Sequence, residues 1–332
     1  MPFLPGFDER WKDIPDFILG ITKDIWEDRG IHTLHRYYGP ELVVRSPASV
    51  IKGNTGIIAA TEATLAEFPD RQLLGEDVIW CATGDDSFLS SHRLYCTATH
   101  EGPGMYGAPT GRKLAYRILA DCWCRDNGVH DEWLVRDQGA IVRQMGLDVV
   151  DWTRDLIARE GGPATCVKPM TPATDMPGPY QGTGNDNSWG LALVDILMRI
   201  AKAEFSVIPQ SYDRAAELAY AGHVTGVGHS DADRFWMQLH AAFPSAQFSI
   251  DHQIGIEEPL CGARAAVRWS LHGAHSGWGM FGTPTGAEVF IMGITQAEFG
   301  PHGLRREWTL IPGSTKSAEI PLNWGVLAEL FQ

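Results

Sequence analysis

The chain has 332 residues, 44% of them hydrophobic and 20% charged, with a formal net charge of −14. That length allows about two ordinary domains, and the composition is that of a folded globular protein. The acidic balance argues against a nucleic-acid partner, which needs clustered Lys and Arg, and weakly against an anionic membrane surface. No apolar run reaches the length of a membrane-spanning helix, and the start MPFLPGFDERWKD lacks the basic and apolar regions of a signal peptide. The six cysteines show no C-x-x-C or zinc-type spacing, so reduced thiols in a cytoplasmic protein are expected.

In chain order, the first predicted element is a helix. Asp13 caps it, Pro15 suits its first turn, Phe17, Ile18, Ile21 and Ile25 form an apolar stripe, and Gly30 ends it. Tyr37 to Val44 and Val50 to Gly53 are read as a short connection and a turn. A second helix, Gly56 to Phe68, stops at Pro69. Three strand-like runs follow: Asp77 to Ala82, Phe88 to Thr99 and Arg112 to Arg125. Asp126-Asn127-Gly128 is a hairpin turn, and His130 to Asp137 is a last strand. Helices followed by an antiparallel meander predict an α+β domain.

Gly161 to Gly190 is crowded with Pro, Gly and Thr and is expected to be an extended linker. The elements then return: helices over Leu191 to Phe205 and Ser230 to Phe243, and strands over Gln247 to Ile256, Gly262 to Gly273, Ala287 to Phe299 and Arg305 to Ile311. The tail Pro321 to Phe331 is expected to be a docking helix. The recurrence is exact in places. His100 to Gly111 reads HEGPGMYGAPTG, and His275 to Gly286 reads HSGWGMFGTPTG, 175 positions later. At the same offset Phe68-Pro69 returns as Phe243-Pro244, Arg93 as Arg268, and Glu132-Trp133 as Glu307-Trp308. So long a period means duplication of a whole domain. The expected boundaries are 1–160, a linker at 161–187, and 188–332.

Each copy carries G-x-P-T-G and then a long strand. In the first copy Thr99-His100 and Gly107 to Gly111 are followed by Asp126 to Gly128, Asp131, Trp133, Asp137 and Gln144-Met145-Gly146. This pattern resembles the SnoaL-like polyketide cyclases of the nuclear-transport-factor-2-like superfamily. The resemblance implies a curved antiparallel sheet wrapped around helices, a cone with an apolar pocket, and pairing of the two copies through the outer sheet faces as an internal pseudo-dimer. Association of further chains is compatible with it.

By the same resemblance Trp133 and Asp137 face the pocket, where Asp137 serves as general acid/base in an intramolecular aldol closure. A carboxyl under an aromatic wall is desolvated and exchanges protons near neutral pH. The alternative for Asp137 is to cap the helix Gln138 to Gly146. Arg117, Asp121 and Trp123 share one strand face. Asp121 either assists Asp137 or simply pairs with Arg117. Arg93 and Arg268 either bind a substrate carboxylate or pair with acidic neighbours, with Glu132 and Glu307 as candidates, and the second role is favoured. His100 sits in the repeated loop, where it either meets substrate or hydrogen-bonds backbone. In the second copy Pro312 stands where Asp137 stands in the first, Gln296 replaces Asp121 and Glu298 replaces Trp123, while Trp308 repeats Trp133. Gln296, Glu298 and Trp308 are therefore its candidate ligand contacts.

The expected function is cofactor-independent lyase, isomerase or cyclase chemistry on a small, largely apolar carbonyl compound, with no metal. A non-catalytic ligand-binding or scaffold protein is the alternative from another class, and hydrolysis of an epoxide or ester is a third.

Overall fold

A computed structural model describes residues 3–312. The opening helix α1 (Ile14–Thr22) is capped as expected: Asp13 accepts from the Asp16 N–H, and Phe17, Ile18 and Ile21 are buried. After one wider turn and α2 (Leu34–Tyr37), the chain forms β1 (Tyr38–Ser46) and β2 (Ser49–Lys52). This segment is thus an antiparallel hairpin and not the connection expected. Leu42, Val43 and Val44 are all buried, so both faces of β1 are covered and the run lacks the alternation that marks a half-exposed strand.

The helix α3 (Asn54–Glu67) precedes β3 (Gln72–Ala82), β4 (Ser87–Thr99), β5 (Lys113–Arg125) and β6 (Gly128–Arg136). The sheet order is β2-β1-β6-β5-β4-β3, with β1 parallel to β6 and the other pairs antiparallel. Asp126 and Asn127 both have positive φ, as the tight β5–β6 turn requires. Helices α4 (Gln138–Gln144) and α5 (Val149–Arg159) complete the first lobe.

The second lobe repeats this order: α6 (Ser188–Ala201), α7 (Val207–Ser211), β7 (Tyr212–Tyr220), β8 (Val224–Val227), α8 (His229–Ala242), β9 (Gln247–Ile256), β10 (Ala263–Ala274), β11 (Glu288–Gly300) and β12 (Gly303–Leu310). Its sheet order, β8-β7-β12-β11-β10-β9, is the same. The docking helix expected over Pro321 to Phe331 lies outside the described residues. All six cysteines are free thiols.

The two sheets pack through their outer faces, as a pseudo-dimer does. Ile79, Leu89, Leu119, Trp133 and Val135 of the first lobe belong to one continuous core with the second. The pairing is reciprocal. The Arg268 guanidinium lies 3.9 Å from the Trp133 ring centroid, and its repeat Arg93 lies 3.5 Å from Trp308. The segment between the lobes packs into this joint: the Tyr180 N–H donates to Asp131 at 3.1 Å, and its hydroxyl meets His252 Nε2 at 2.8 Å.

Candidate active site in the first lobe

On each strand of the first sheet, alternate residues face opposite ways. One set meets the second lobe. The other set, with α1, α3 and the loop after β4, lines a cavity of about 720 Å³. The cavity exists because α3 turns small side chains toward it: Ala60, Thr61, Ala63 and Thr64 all line it. At the same places α8 carries Phe235, Trp236, Gln238 and Leu239. In the second lobe Trp269 also replaces Leu94, and Gly293, which replaces Ile118, makes room for it: a Cβ there would lie 2.3 Å from the Trp269 ring. Trp236 and Trp269 meet at 6.1 Å between centroids, and the space beside Trp236 measures about 40 Å³. One lobe is hollow and the other is filled.

The repeated loop closes part of the hollow. Glu67, at the end of α3, accepts from the Met105 and Tyr106 N–H groups at 3.0 and 2.9 Å, which turns Met105 and Tyr106 into the cavity wall. Gly102 is required there, since a Cβ would lie 2.0 Å from the Ala66 carbonyl oxygen. His100 does not line the cavity. It is buried under the loop, 3.1 Å from Thr110 Oγ1 and 3.3 Å from Glu67 Oε1, where it shapes the turn.

Three polar groups stand out on the cavity wall. Glu132 on β6 is buried, and burial pushes its carboxyl up to about 7, although a hydrogen bond from Tyr38 and the charge of Arg136 pull the other way. His92 on β4 is pushed down to about 4 by burial and is therefore neutral at physiological pH. Arg71, buried just before β3, donates from Nε to the Tyr116 hydroxyl at 2.8 Å. The second-lobe counterpart of Glu132, Glu307, is also raised by burial. There the hydroxyls of Tyr212, Tyr220 and Thr309 donate to it at 2.7, 3.2 and 2.6 Å inside a filled core.

The pocket residues expected from the resemblance lie on the other sheet face. Asp137 caps α4 through the Ala140 N–H at 3.2 Å, and its carboxylate also accepts from the Gly222 and His223 N–H groups of the second lobe. Burial raises its proton affinity against the pull of these bonds. Asp121 accepts from Arg268 at 2.7 Å rather than pairing with Arg117 or Asp137, and burial raises it too. Arg117 binds Glu76 instead. Arg93 is held by Glu76 and by Gln296 at 2.6 Å across the joint, so neither Arg93 nor Arg268 pairs with Glu132 or Glu307.

Trp123 and Trp133 pack around Tyr180 from the linker, not around the cavity. In the second lobe Trp308 stacks under Arg93, and Glu298 pairs with Arg305 and Arg306 near the lobe's edge. Strand parity grouped these residues correctly. It does not say which face holds the cavity, and here the opposite face is buried by a second lobe. Arg71, Tyr116 and Arg136 were missed as pocket groups, and so were Glu132 and His92. The signal of the last two was a charged and a titratable side chain on strands rich in apolar residues, at the opposite parity from Trp133 and Arg93.

The architecture defines the class: a tandem pair of cone-shaped α+β domains with the same sheet order, of which one keeps a large cavity. Residues 17–145 match the family model described as SnoaL-like polyketide cyclase. That match spans most of the first lobe, and the second lobe repeats the topology of the first. Solved structures that resemble the chain include IdmH from Streptomyces antibioticus, at 24% identity over 40% of this chain and 98% of that one, with a TM-score of 0.35. AclR from Streptomyces galilaeus is similar at 21% identity over 40% and 94%, with a TM-score of 0.35. A SnoaL-like polyketide cyclase from Agrobacterium tumefaciens is similar at 18% identity over 40% and 97%, with a TM-score of 0.32. A search of curated proteins returns no match. No helix among the described residues is long and apolar enough to cross a membrane.

Proposed function

We propose that the first-lobe cavity carries out cofactor-independent proton-transfer chemistry of the cyclase or isomerase type on a largely apolar carbonyl compound, with Glu132 as general acid/base. The observation that supports this reading best is the Glu132 carboxyl, buried in the cavity wall and pushed up to about 7, where it exists in both protonation states. The ionised form takes a proton from the carbon next to a substrate carbonyl. The resulting enolate attacks a second carbonyl of the same molecule, and the protonated Glu132 returns its proton to the alkoxide. Neutral His92 is available as a hydrogen-bond partner for a carbonyl oxygen without adding charge. The apolar wall of Ile18, Ile21, Trp26 and Leu94 excludes water from the enolate.

A ligand-binding protein without chemistry is the second reading. It is favoured by one observation, that the Glu–Tyr pair persists as Glu307 and Tyr212 in the filled lobe, where it serves only packing. Deuterium exchange separates the two. The protein is incubated with 2-tetralone in D2O and loss of the proton signal next to the carbonyl is followed by NMR. Glu132→Gln is expected to slow the catalysed exchange by about a hundredfold or more. Equal exchange in wild type and a folded variant would leave binding as the function.

A further inference from the structure

The far end of the same cavity holds more positive charge than the protein neutralises. Arg71 is only 3% exposed, and its Nε bond goes to a tyrosine hydroxyl, not to a carboxylate. Arg136 also lines the cavity, and its Nε is buried with no hydrogen-bond partner. Among the described residues neither guanidinium lies within ion-pair distance of an acidic side chain. The buried arginines of the lobe joint differ: Arg45 has Asp131, Arg93 has Glu76, and Arg268 has Asp121. Arg71 is buried and Arg136 half-buried; a guanidinium withdrawn from water without a counter-charge is costly, and a ligand that supplies one removes the cost.

The second lobe separates the needs of the fold from those of the cavity. Where it is filled, Arg71 is replaced by Ala246, Tyr116 by Ile291 and Arg136 by Ile311, while the glutamate is kept as Glu307. The fold therefore stands without the two arginines and the tyrosine, and all three are present only in the hollow lobe. Arg136 follows Glu132 by four residues on the same face of β6, about 13 Å between Cα atoms at strand spacing. Tyr116 lies next to that row, since its neighbour Ile118 pairs with Arg136 across the strands. Arg71 joins it through the Tyr116 hydroxyl. The positive end and the Glu132 end are thus separated along the cavity.

We infer that Arg71 and Arg136, with Tyr116, form a carboxylate-binding subsite, so that the ligand is an elongated, mostly apolar carboxylic acid held by its acid group at one end. This rests on the proposed function only in taking the cavity as the substrate site; it requires no proton transfer. A guanidinium matches a carboxylate in charge and planar shape, and the Tyr116 hydroxyl adds a polar contact.

The test compares 2-anthracenecarboxylate with 2-anthracenecarboxamide, two fluorescent probes of one shape that differ in charge, titrated into the full chain at pH 7.5. The carboxylate is expected to bind wild type at least tenfold more tightly than the amide. Arg136→Met should bring the carboxylate down to the affinity of the amide, and Arg136→Lys should keep part of the preference. Glu132→Gln, which removes a negative charge that the Arg136 charge reaches, should keep the preference or increase it, so a failed proton-transfer reading, seen as equal exchange in wild type and Glu132→Gln, leaves this result standing. Equal affinity of the two probes for wild type, binding of neither, or a preference that survives in folded Arg136→Met overturns the subsite. If Arg136→Met does not fold, the wild-type ratio and Arg136→Lys decide.

Discussion

Replacing Glu132 by glutamine keeps the shape of the side chain and removes its charge, and the consequence for stability depends on pH in a way the cavity dictates. The carboxyl titrates at about 7 in the folded chain against an ordinary value of 4.5. At 1.36 kcal/mol per pKa unit, that difference corresponds to about 3 kcal/mol. The sign follows from proton binding. The folded state holds the proton more tightly than the unfolded state, so wild type is most favoured below pH 4.5, where both states are protonated. Stability is lost as pH rises from 4.5 to about 7 and then levels off, because the ionised carboxylate is trapped away from water.

Glu132→Gln cannot ionise and escapes this loss. Urea unfolding of both proteins, followed by tryptophan fluorescence, is expected to show little difference near pH 4.5. By pH 8 the variant should be ahead by about 3 kcal/mol. Asp121, Asp131, Asp137 and Glu307, all raised by burial, are common to both proteins and cancel in the comparison. A difference that stays constant across this range would refute the argument, since it would mean that Glu132 is solvated or paired in the folded chain.

Two further outcomes follow from the same geometry. Thr61→Trp, which copies Trp236 into the hollow lobe, is expected to abolish probe binding while leaving the unfolding midpoint within a few degrees of wild type; retained binding would place the ligand elsewhere. Asp137→Ala removes the α4 cap and the acceptor for two N–H groups of the second lobe, and is expected to destabilise by about 1–3 kcal/mol with 2-tetralone exchange unchanged. A large loss of exchange in folded Asp137→Ala would return Asp137 to the chemistry.

Much of this protein follows from local patterns. The 175-residue repeat shows on aligning the chain with itself, and the cap at Asp13, the Asp126-Asn127-Gly128 turn and most strand limits are properties of short windows, each governed by its own hydrogen bonds and side-chain periods; for Asp137 the cap was one of two readings. The repeated loop was visible in the same way, but the close approach of Gly102 to the end of α3 was not. The β1–β2 hairpin was not legible, because a strand buried on both faces has no alternation to detect.

The site divides along the same line. Parity put Trp133, Val135 and Asp137 on one face and Glu132 and Arg136 on the other. The sequence by itself also determined the contrast between Ala60-Thr61 and Phe235-Trp236, and the loss of Arg71, Tyr116 and Arg136 from the second copy. Only the tertiary structure decided which face is the cavity. When two copies pack sheet to sheet, the outer face becomes as apolar and as buried as the inner one, and hydrophobicity no longer distinguishes them. Packing also decided that Glu132 is desolvated and Asp137 anchored, because proton affinity depends on the surrounding volume and hydrogen-bond partners, which are brought together from residues far apart along the chain.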